Sequence, residues 1–327
     1  MPLHDALLAD VRGFMRSRVI LTAAELDLFT RIHRRPAGAA DLAVAAGTDQ
    51  RATTRLLDAL VSFSLLEKKE GVYSATPQGG LLSADHPESV LPMVLHQNRL
   101  WNTWSHLTET VRLGSNAHRR PVHEEGGESL AAFIGAMHVV GREVAEEIAA
   151  ACDPGRFTRL LDIGGASGTY TIAFLRRNPR MTAVLFDHPD VVRMAEDRIR
   201  REGLIERVTL VGGDFYEDDL PGECDVALLS AIIHQNSPAE SVDLYRKIHR
   251  AIVPGGAVII RDHVMDEDRT RPAAGALFAI NMLVGTRGGG TYTFAEIQDH
   301  LGKAGFSGVR LISRGEKMDG LVEARKP

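Results

Sequence analysis

Hydrophobic and polar residues follow different repeating patterns in the two halves of the chain. In the first 150 residues, apolar side chains recur at helical spacing, for example over 15–29 and 130–151. From Phe157 onward, short apolar runs such as RLLDIGG, TAVLFDHP and CDVALLSAI alternate with helical stretches such as Thr169–Arg177. This alternation predicts an α/β domain with a doubly wound, mainly parallel seven-stranded sheet, preceded by a largely helical domain.

The N-terminal part has the pattern of a winged-helix unit. Residues 41–66 divide into two short helices at Gly47-Thr48-Asp49, where Thr48 or Asp49 would cap the second helix, and a hairpin follows with its turn at Glu70-Gly71. Between Arg34 and Glu70, six Lys or Arg residues stand against five Asp or Glu residues. That balance is unsuited to a DNA-reading surface, so we expect packing or dimerisation here and no nucleic-acid partner.

These patterns predict three segments: an N-terminal unit over 1–113, a connecting loop and helix over 114–151, and the α/β domain over 152–327. The loop GSNAHRRPVHEEGGES, residues 114–129, contains His118, His123, Glu124, Glu125 and Glu128. Their spacing matches no metal-ligand motif, so we expect a solvated loop and no metal site.

Composition and charge exclude several classes of protein. Hydrophobic residues make up 44% of the chain and charged residues 25%, as in globular proteins, and the formal net charge is −5. That charge argues against a protein that binds mainly nucleic-acid phosphates. Two cysteines cannot form a disulfide framework, and the longest uncharged stretches are shorter than the ~18 residues of a membrane span. We therefore expect a cytoplasmic protein with no membrane partner.

The segment Leu160–Gly168 (LLDIGGASG) is the most informative motif in the chain. A hydrophobic strand leads into small residues, which allow the backbone to approach a ligand closely. The motif departs from the G-x-G-x-x-G pattern of nicotinamide dinucleotide sites, because Ile163 occupies the first glycine position. Asp162, near the strand end, suits a cationic or hydroxyl-bearing ligand better than a pyrophosphate.

Acidic residues also follow the next two predicted strands. Asp187 ends the second strand, where a carboxylate can accept both hydrogen bonds of a ribose diol, and Asp214 with Phe215 could flank a purine. Taken singly, each aspartate could be only a helix cap. Because the carboxyl ends of consecutive parallel strands converge on one crevice, the three elements together predict a nucleoside site.

His234 follows the fourth predicted strand. In a sheet ordered 3-2-1-4-5, the first and fourth strands are neighbours at the topological switch point, which places His234 across from the glycine loop. A phenol with a pKa of ~10 keeps its proton at neutral pH, and an imidazole with a reference pKa of ~6.5 can accept it. The alternative role for His234 is to cap the helix that follows.

These motifs together resemble the class I S-adenosylmethionine-dependent methyltransferases, which have a Rossmann-like fold. More narrowly, nearly the whole chain is similar to small-molecule O-methyltransferases with an N-terminal winged-helix dimerisation domain. The resemblance implies a homodimer with S-adenosyl-L-methionine as cofactor. By motif position, it places Gly164 and Gly165 at the methionine moiety of the cofactor, Asp187 at the ribose, and Asp214 with Phe215 at the adenine.

The resemblance also assigns the remaining site residues. His234 matches the catalytic histidine of the family, and Asp262 matches the first of two acidic residues that hold it. His263, next to Asp262, is expected on the opposite face of the strand. Further cofactor contacts are expected from Asp162 and Ser230. The helical residues implied to line the acceptor pocket, which would favour a flat apolar acceptor, are Met137, His138, Phe278, Asn281 and Met282.

The chain departs from the family pattern at three places. Ser230-Ala231 replaces Lys-Trp, Asn236 replaces a tryptophan, and Gly289-Gly290-Thr291-Tyr292 stands where the second acidic residue belongs. Catalysis therefore rests on His234 and Asp262 alone, or the reaction has changed.

Taken together, the sequence predicts a metal-independent O-methyltransferase that acts on a hydroxyl group of an aromatic or polyketide-like small molecule. Two alternatives stay open at this point. One is an enzyme of the same fold that binds the cofactor but catalyses hydroxylation or decarboxylation. The other is a winged-helix regulator that uses the nucleoside domain as a sensor.

Overall fold

The computed structural model describes residues 3–119 and 127–327. The chain divides into two compact units, of which the first extends to Asn102 and resumes after the undescribed residues up to Val139. The second unit begins at Thr103 and resumes at Val140 through Pro327. Three of the loop residues considered above as ligands, at positions 123, 124 and 125, lie outside the described residues. The division into three sequence segments stays a prediction.

Helices and strands are numbered along the chain. The helices are α1 (Leu3–Glu25), α2 (Leu28–Arg34), α3 (Ala39–Ala46), α4 (Gln50–Ser62), α5 (Pro77–Gly80), α6 (Leu91–Ser105), α7 (Leu107–Leu113), α8 (Gly127–Arg142), α9 (Ala145–Cys152), α10 (Thr169–Arg177), α11 (Pro189–Arg201), α12 (Pro238–Ala251), α13 (Ala273–Gly285) and α14 (Phe294–Lys303). The strands are β1 (Ala37–Gly38), β2 (Leu66–Lys69), β3 (Val72–Ala75), β4 (Arg159–Ile163), β5 (Thr182–Asp187), β6 (Val208–Gly212), β7 (Cys224–Ser230), β8 (Ile252–Asp262), β9 (Val264–Met265), β10 (Tyr292–Thr293), β11 (Ser307–Ser313) and β12 (Gly320–Arg325).

The first unit has the helix–helix–hairpin order that the sequence predicts. Asp49 caps α4, because its side chain accepts a hydrogen bond of 2.8 Å from the Ala52 N–H. Strands β2 and β3 pair as an antiparallel hairpin around Glu70-Gly71, and β1 adds a third strand on β3. The buried side chains of Phe29, Leu57 and Tyr73 belong to the core of this unit.

The single helix predicted over 130–151 is wrong, because α8 ends at Arg142 and α9 begins at Ala145. Gly141 lies just before the break. A Cβ atom at this position would be 3.4 Å from both Thr169 and Tyr170. That distance is ordinary van der Waals contact, so Gly141 packs closely against α10, and glycine in a helix interior costs about 0.5–1 kcal/mol relative to alanine. The break therefore occurs where tertiary packing and weak helix propensity coincide.

The second unit is built on a seven-stranded sheet with the order β11-β12-β8-β7-β4-β5-β6. The pairs from β8 to β6 are parallel, β12 is antiparallel to β8, and β11 is antiparallel to β12. This is the doubly wound, mainly parallel sheet that the sequence predicts. Strands β4 and β7 are neighbours, so the topological switch point lies between them.

Alternate residues of the central strands face different helical layers. Leu160, Val226 and Ile259 pack in a core with residues of α9 and α10. Leu161 and Val258 pack in a second core with residues of α12 and α14. Because side chains alternate along a strand, each strand end presents a neighbouring pair of residues to opposite faces of the sheet.

Throughout the described part of the chain, each helix is too short or too polar to span a membrane.

Candidate active site

The loops after β4, β5 and β6 are joined to one another through the backbone. The Gly164 N–H donates to the Phe186 carbonyl at 2.8 Å, and the Ala166 N–H donates to Asp187 Oδ2 at 2.8 Å. The Gly213 N–H donates to the Asp187 carbonyl at 2.9 Å. The structure therefore brings the three predicted cofactor elements together along one edge of the sheet.

Gly164 and Gly165 hold the first of these loops close to its neighbours. Gly164 has a φ of +68°, and a Cβ atom there would lie 2.6 Å from the Ile232 side chain. A Cβ atom on Gly165 would lie 2.7 Å from Leu185. Both positions require glycine for backbone packing, and both leave bare backbone at the switch point.

Two carboxylates beneath the loop are buried. Asp162 accepts a hydrogen bond of 2.5 Å from the Thr171 hydroxyl, and burial raises the pKa of Asp162 to about 6. The pKa of Asp187 is also raised, because the effect of burial outweighs the hydrogen bonds from the backbone N–H groups of Ala166 and His188, which lower it. Each oxygen of Asp187 thus accepts one N–H and keeps a further lone pair for a ligand hydroxyl.

Asp214 and Phe215 form the third element. Asp214 Oδ1 accepts from the Tyr216 N–H at 2.8 Å, and the Asp214 N–H donates to Asp218. The buried Phe215 ring borders the glycine loop, 3.6 Å from the position of a Cβ on Gly164. The Phe215 ring therefore lies beside the glycine loop, and the role of Asp214 and Phe215 as a purine site stays a prediction.

His234 and Asp262 form a close pair at the ends of β7 and β8. His234 lies in a short 3-10 helix after β7, and its Nδ1 is 2.9 Å from Asp262 Oδ2 and 3.1 Å from Oδ1. Asp262 is 1% exposed and also accepts from the His263 N–H at 2.8 Å. Burial favours a raised pKa for Asp262, but the charge and hydrogen bond of His234 outweigh it, so the pKa of Asp262 is lowered. The carboxylate is therefore ionised at neutral pH.

Helix α13 covers this pair from one side. The Phe278 ring meets the His234 ring edge-on, with centroids 4.8 Å apart, and lies 5.2 Å from the ring of His263. Burial lowers the pKa of His263. Phe278 therefore contacts His263 as well as His234, although His263 was expected on the opposite face of the strand. Strand β8 ends at Asp262, and the strict alternation of side chains between the two faces ends there too.

The other predicted acceptor residues fall in different places. Asn281 Oδ1 accepts from the Trp104 indole N–H at 2.9 Å, and Met282 is buried on the same helix. Met137 and His138 lie on α8 within the first unit. Their contribution to an acceptor pocket stays a prediction.

A glycine loop occupies the place where the family pattern has a second carboxylate. The Gly290 N–H donates to the His234 carbonyl at 2.8 Å. A Cβ atom on Gly289 would lie 2.3 Å from that same oxygen. This loop supports the backbone of His234, and among the described residues Asp262 is the carboxylate that pairs with its imidazole.

Asn236, directly after the short helix that contains His234, has partners that no local sequence pattern predicts. It is fully buried, its side-chain oxygen accepts from the Tyr216 hydroxyl, and its carbonyl accepts from the Tyr292 hydroxyl. Two tyrosines therefore fix the turn after His234. In the sequence, the one sign of this arrangement is the amide of Asn236 at a position where the family pattern has an aromatic residue.

Comparisons with known proteins agree with this geometry. Residues 104–307 match the O-methyltransferase domain, and residues 10–85 match the O-methyltransferase dimerisation domain. The tetracenomycin polyketide synthesis 8-O-methyl transferase TcmO of Streptomyces glaucescens is 33% identical over 96% of this chain and 94% of its own length. The 3-hydroxy-5-methyl-1-naphthoate 3-O-methyltransferase of Streptomyces sahachiroi is 30% identical over 94% of this chain and 90% of its own. The structure of human N-acetylserotonin methyltransferase in complex with S-adenosylmethionine has a TM-score of 0.86 and 27% identity, covering 100% of this chain and 98% of that one.

The chain therefore belongs to the O-methyltransferase family. It is an S-adenosylmethionine-dependent O-methyltransferase with a dimerisation domain, and its partners are a small-molecule acceptor and further copies of itself. The prediction of this family, its fold and its cofactor is confirmed.

Proposed function

We propose that this enzyme transfers a methyl group to a hydroxyl group of an aromatic or polyketide-like small molecule, with His234 as general base. The observation that carries the proposal is the contact between His234 Nδ1 and the buried Asp262 carboxylate beside the switch point. Two relatives named for polyketide and naphthoate methylation support an acceptor of this class.

The residues around the glycine loop fit the cofactor. Gly164 and Gly165 offer bare backbone for its methionine moiety, and Asp187 keeps free lone pairs for a ribose diol. Asp214 and Phe215 would hold the adenine. When bound, S-adenosylmethionine would supply an electrophilic methyl group that needs no further activation, and its methyl carbon–sulfur bond would break to leave S-adenosylhomocysteine.

The protonation of His234 follows from its partner. The ionised Asp262 carboxylate can only accept hydrogen bonds, so Nδ1 carries the proton and Nε2 presents a lone pair. Nε2 can then take the proton of the acceptor hydroxyl as oxygen forms its new bond to carbon. The imidazolium that results is stabilised by Asp262, which holds the ring in place throughout.

The side chains of α13 favour a flat, apolar acceptor. Phe278 packs against the catalytic ring, Met282 lies on the same helix, and Asn281 is held by Trp104. Aromatic and thioether groups bind planar ligands through broad apolar contact, and a few polar groups then fix their orientation.

A methyl-transfer assay tests the acceptor class. The enzyme is incubated with S-adenosylmethionine and a panel of phenols and quinols, each matched with its methyl ether as a control that has no free hydroxyl. We expect products heavier by one methyl group from the free hydroxyls only. Products that gain oxygen or lose carbon dioxide instead would contradict the proposal and favour the hydroxylase or decarboxylase alternative.

We also propose that the enzyme is a homodimer that works in the cytoplasm. Exposed apolar residues on α1, among them Leu7, Val11 and Phe14, support association in or next to the matched dimerisation domain. Cys152 and Cys224 are buried free thiols, which suits a reducing compartment. Cell fractionation with an antibody tests the location, and enrichment outside the cytoplasmic fraction would refute it.

A further inference from the structure

Arg261 is a buried arginine that directly precedes Asp262 at the end of strand β8. It is 4% exposed, and its register partner on β7 is Ser230, the last residue of that strand. Like Ile259, it faces the layer formed by α9 and α10, opposite to the face that Asp262 presents to His234. A buried guanidinium without a counter-charge is costly in free energy. Among the described residues, however, Arg261 Nε has no hydrogen-bond partner.

Two buried hydroxyl groups, those of Tyr170 and Ser230, lie beside Arg261. The guanidinium carbon lies 5.3 Å from the centre of the Tyr170 ring, in the first turn of α10. The hydroxyls of Tyr170 and Ser230 are near neighbours, but in the described structure neither makes a hydrogen bond of normal geometry. Burial raises the pKa of Tyr170, although Arg261 and Ser230 act to lower it. Three buried polar atoms, Arg261 Nε and the hydroxyl oxygens of Ser230 and Tyr170, thus lie together with no hydrogen bond of normal geometry among the described residues, and their N–H and O–H groups can donate to an anion.

The sheet order relates this cluster to the cofactor loops. The predicted ribose and adenine contacts follow β5 and β6, on one side of β4, whereas Ser230 and Arg261 lie on β7 and β8 on its other side. A ligand whose nucleoside lies over β5 and β6 extends its other end across β4 toward β7. Tyr170 is in the first turn of α10, directly after the glycine loop, and its ring packs against the guanidinium of Arg261.

We propose that Arg261 binds the α-carboxylate at the amino-acid end of the cofactor, with the hydroxyls of Ser230 and Tyr170 as further donors. Arg261 and Ser230 are register partners on neighbouring parallel strands, so their side chains lie on the same face of the sheet. This inference rests on the proposed function for the placement of the cofactor. Arg261 is a specificity residue for the amino-acid end of the ligand and takes no part in proton transfer.

Calorimetric titration of the Arg261→Met variant tests the proposal without measuring turnover. The two probes are S-adenosylhomocysteine and its decarboxylated analogue, which differ only in the carboxylate. We expect Arg261→Met to weaken binding of S-adenosylhomocysteine by roughly 10–100-fold, the range for a charged hydrogen bond, and to change the Kd of the analogue by less than about twofold. Arg261→Lys should recover part of the loss.

A matched control separates this role from a structural one. Arg198 on α11 is half-buried and its Nε also lacks a described partner, so Arg198→Met removes a similar side chain away from β7 and β8. We expect Arg198→Met to bind both probes like the wild type, and Arg261→Met to melt no lower than the wild type without ligand. Equal losses for both probes, or a lower melting temperature with unchanged affinity, would overturn the assignment of Arg261. A wild-type protein that binds neither probe would instead overturn the proposed function.

Discussion

The imidazole of His234 lies 2.9 Å from the Asp262 carboxylate, although the two residues are separated by 28 positions in the chain. The parallel neighbours β7 and β8 bring them together, because His234 follows β7 and Asp262 ends β8 at the same edge of the sheet. The pair can fix a histidine tautomer and support a positive charge during proton transfer, which are the two requirements of a general base.

Replacement of Asp262 by asparagine should slow methyl transfer by roughly 10²–10⁴-fold. The amide would retain the shape of the side chain, but it carries no charge and can donate to Nδ1, which favours the wrong tautomer. Steady-state kcat measures the effect, with Asp243→Asn, at an exposed position on α12, as the control. A kcat within threefold of the wild type would show that His234 works without its partner.

The pH dependence of stability should carry the signature of Asp162. Its pKa is raised from 3.8 to about 6 by burial, so the folded protein binds more protons than the unfolded chain between these values. The contribution of Asp162 to stability is therefore greatest below pH 4 and is lost as pH rises toward 6. Relative to Asp162→Asn, the wild type should lose about 2 kcal/mol between pH 4 and pH 7.

Chemical denaturation of both proteins at pH 4 and pH 7, without ligand, measures that difference. The side-chain amide of the Asp162→Asn variant would keep an acceptor oxygen for the Thr171 hydroxyl, so the comparison isolates the charge. Identical pH dependence in wild type and variant would mean that Asp162 titrates normally.

The substitution Asp187→Asn should weaken binding of S-adenosylhomocysteine by roughly 10–100-fold. One carboxylate oxygen would become an NH₂ group, which cannot accept from a ribose hydroxyl and would face a backbone N–H of Ala166 or His188. Calorimetry gives the affinity, and Asp197→Asn on α11 is the control. An unchanged Kd would refute the ribose assignment.

The exposed apolar face of α1 should be required for self-association. Leu7, Val11 and Phe14 follow a helical spacing and are each more than half exposed. The double variant Val11→Glu/Phe14→Glu should have half the wild-type mass by light scattering after gel filtration. Val253→Glu, outside the dimerisation domain, should keep the wild-type mass. A double variant of unchanged mass would place the interface elsewhere.

The sequence could predict the sheet and the strand-end residues of the site because these depend on local patterns. Asp187, Asp214 and His234 each follow an apolar run, and parallel strands bring their carboxyl ends to one edge. The break between α8 and α9 could not be predicted, because it coincides with packing of Gly141 against α10. The contacts of Arg261 with Tyr170, and of Asn236 with Tyr216 and Tyr292, join residues distant in sequence. The spacing of hydrophobic residues within one helix or strand gives no information on such pairs.

Single-turnover methyl transfer by His234→Ala, with cofactor and acceptor both saturating, tests the central claim most directly. His249→Ala, which removes an imidazole from the far end of α12, is the matched control. We expect the His234 variant to form methylated product at least ~100-fold more slowly while it binds S-adenosylhomocysteine with wild-type affinity, and the His249 variant to match the wild type in both respects. Product formation by His234→Ala at the wild-type rate would contradict the assignment of this residue as the base.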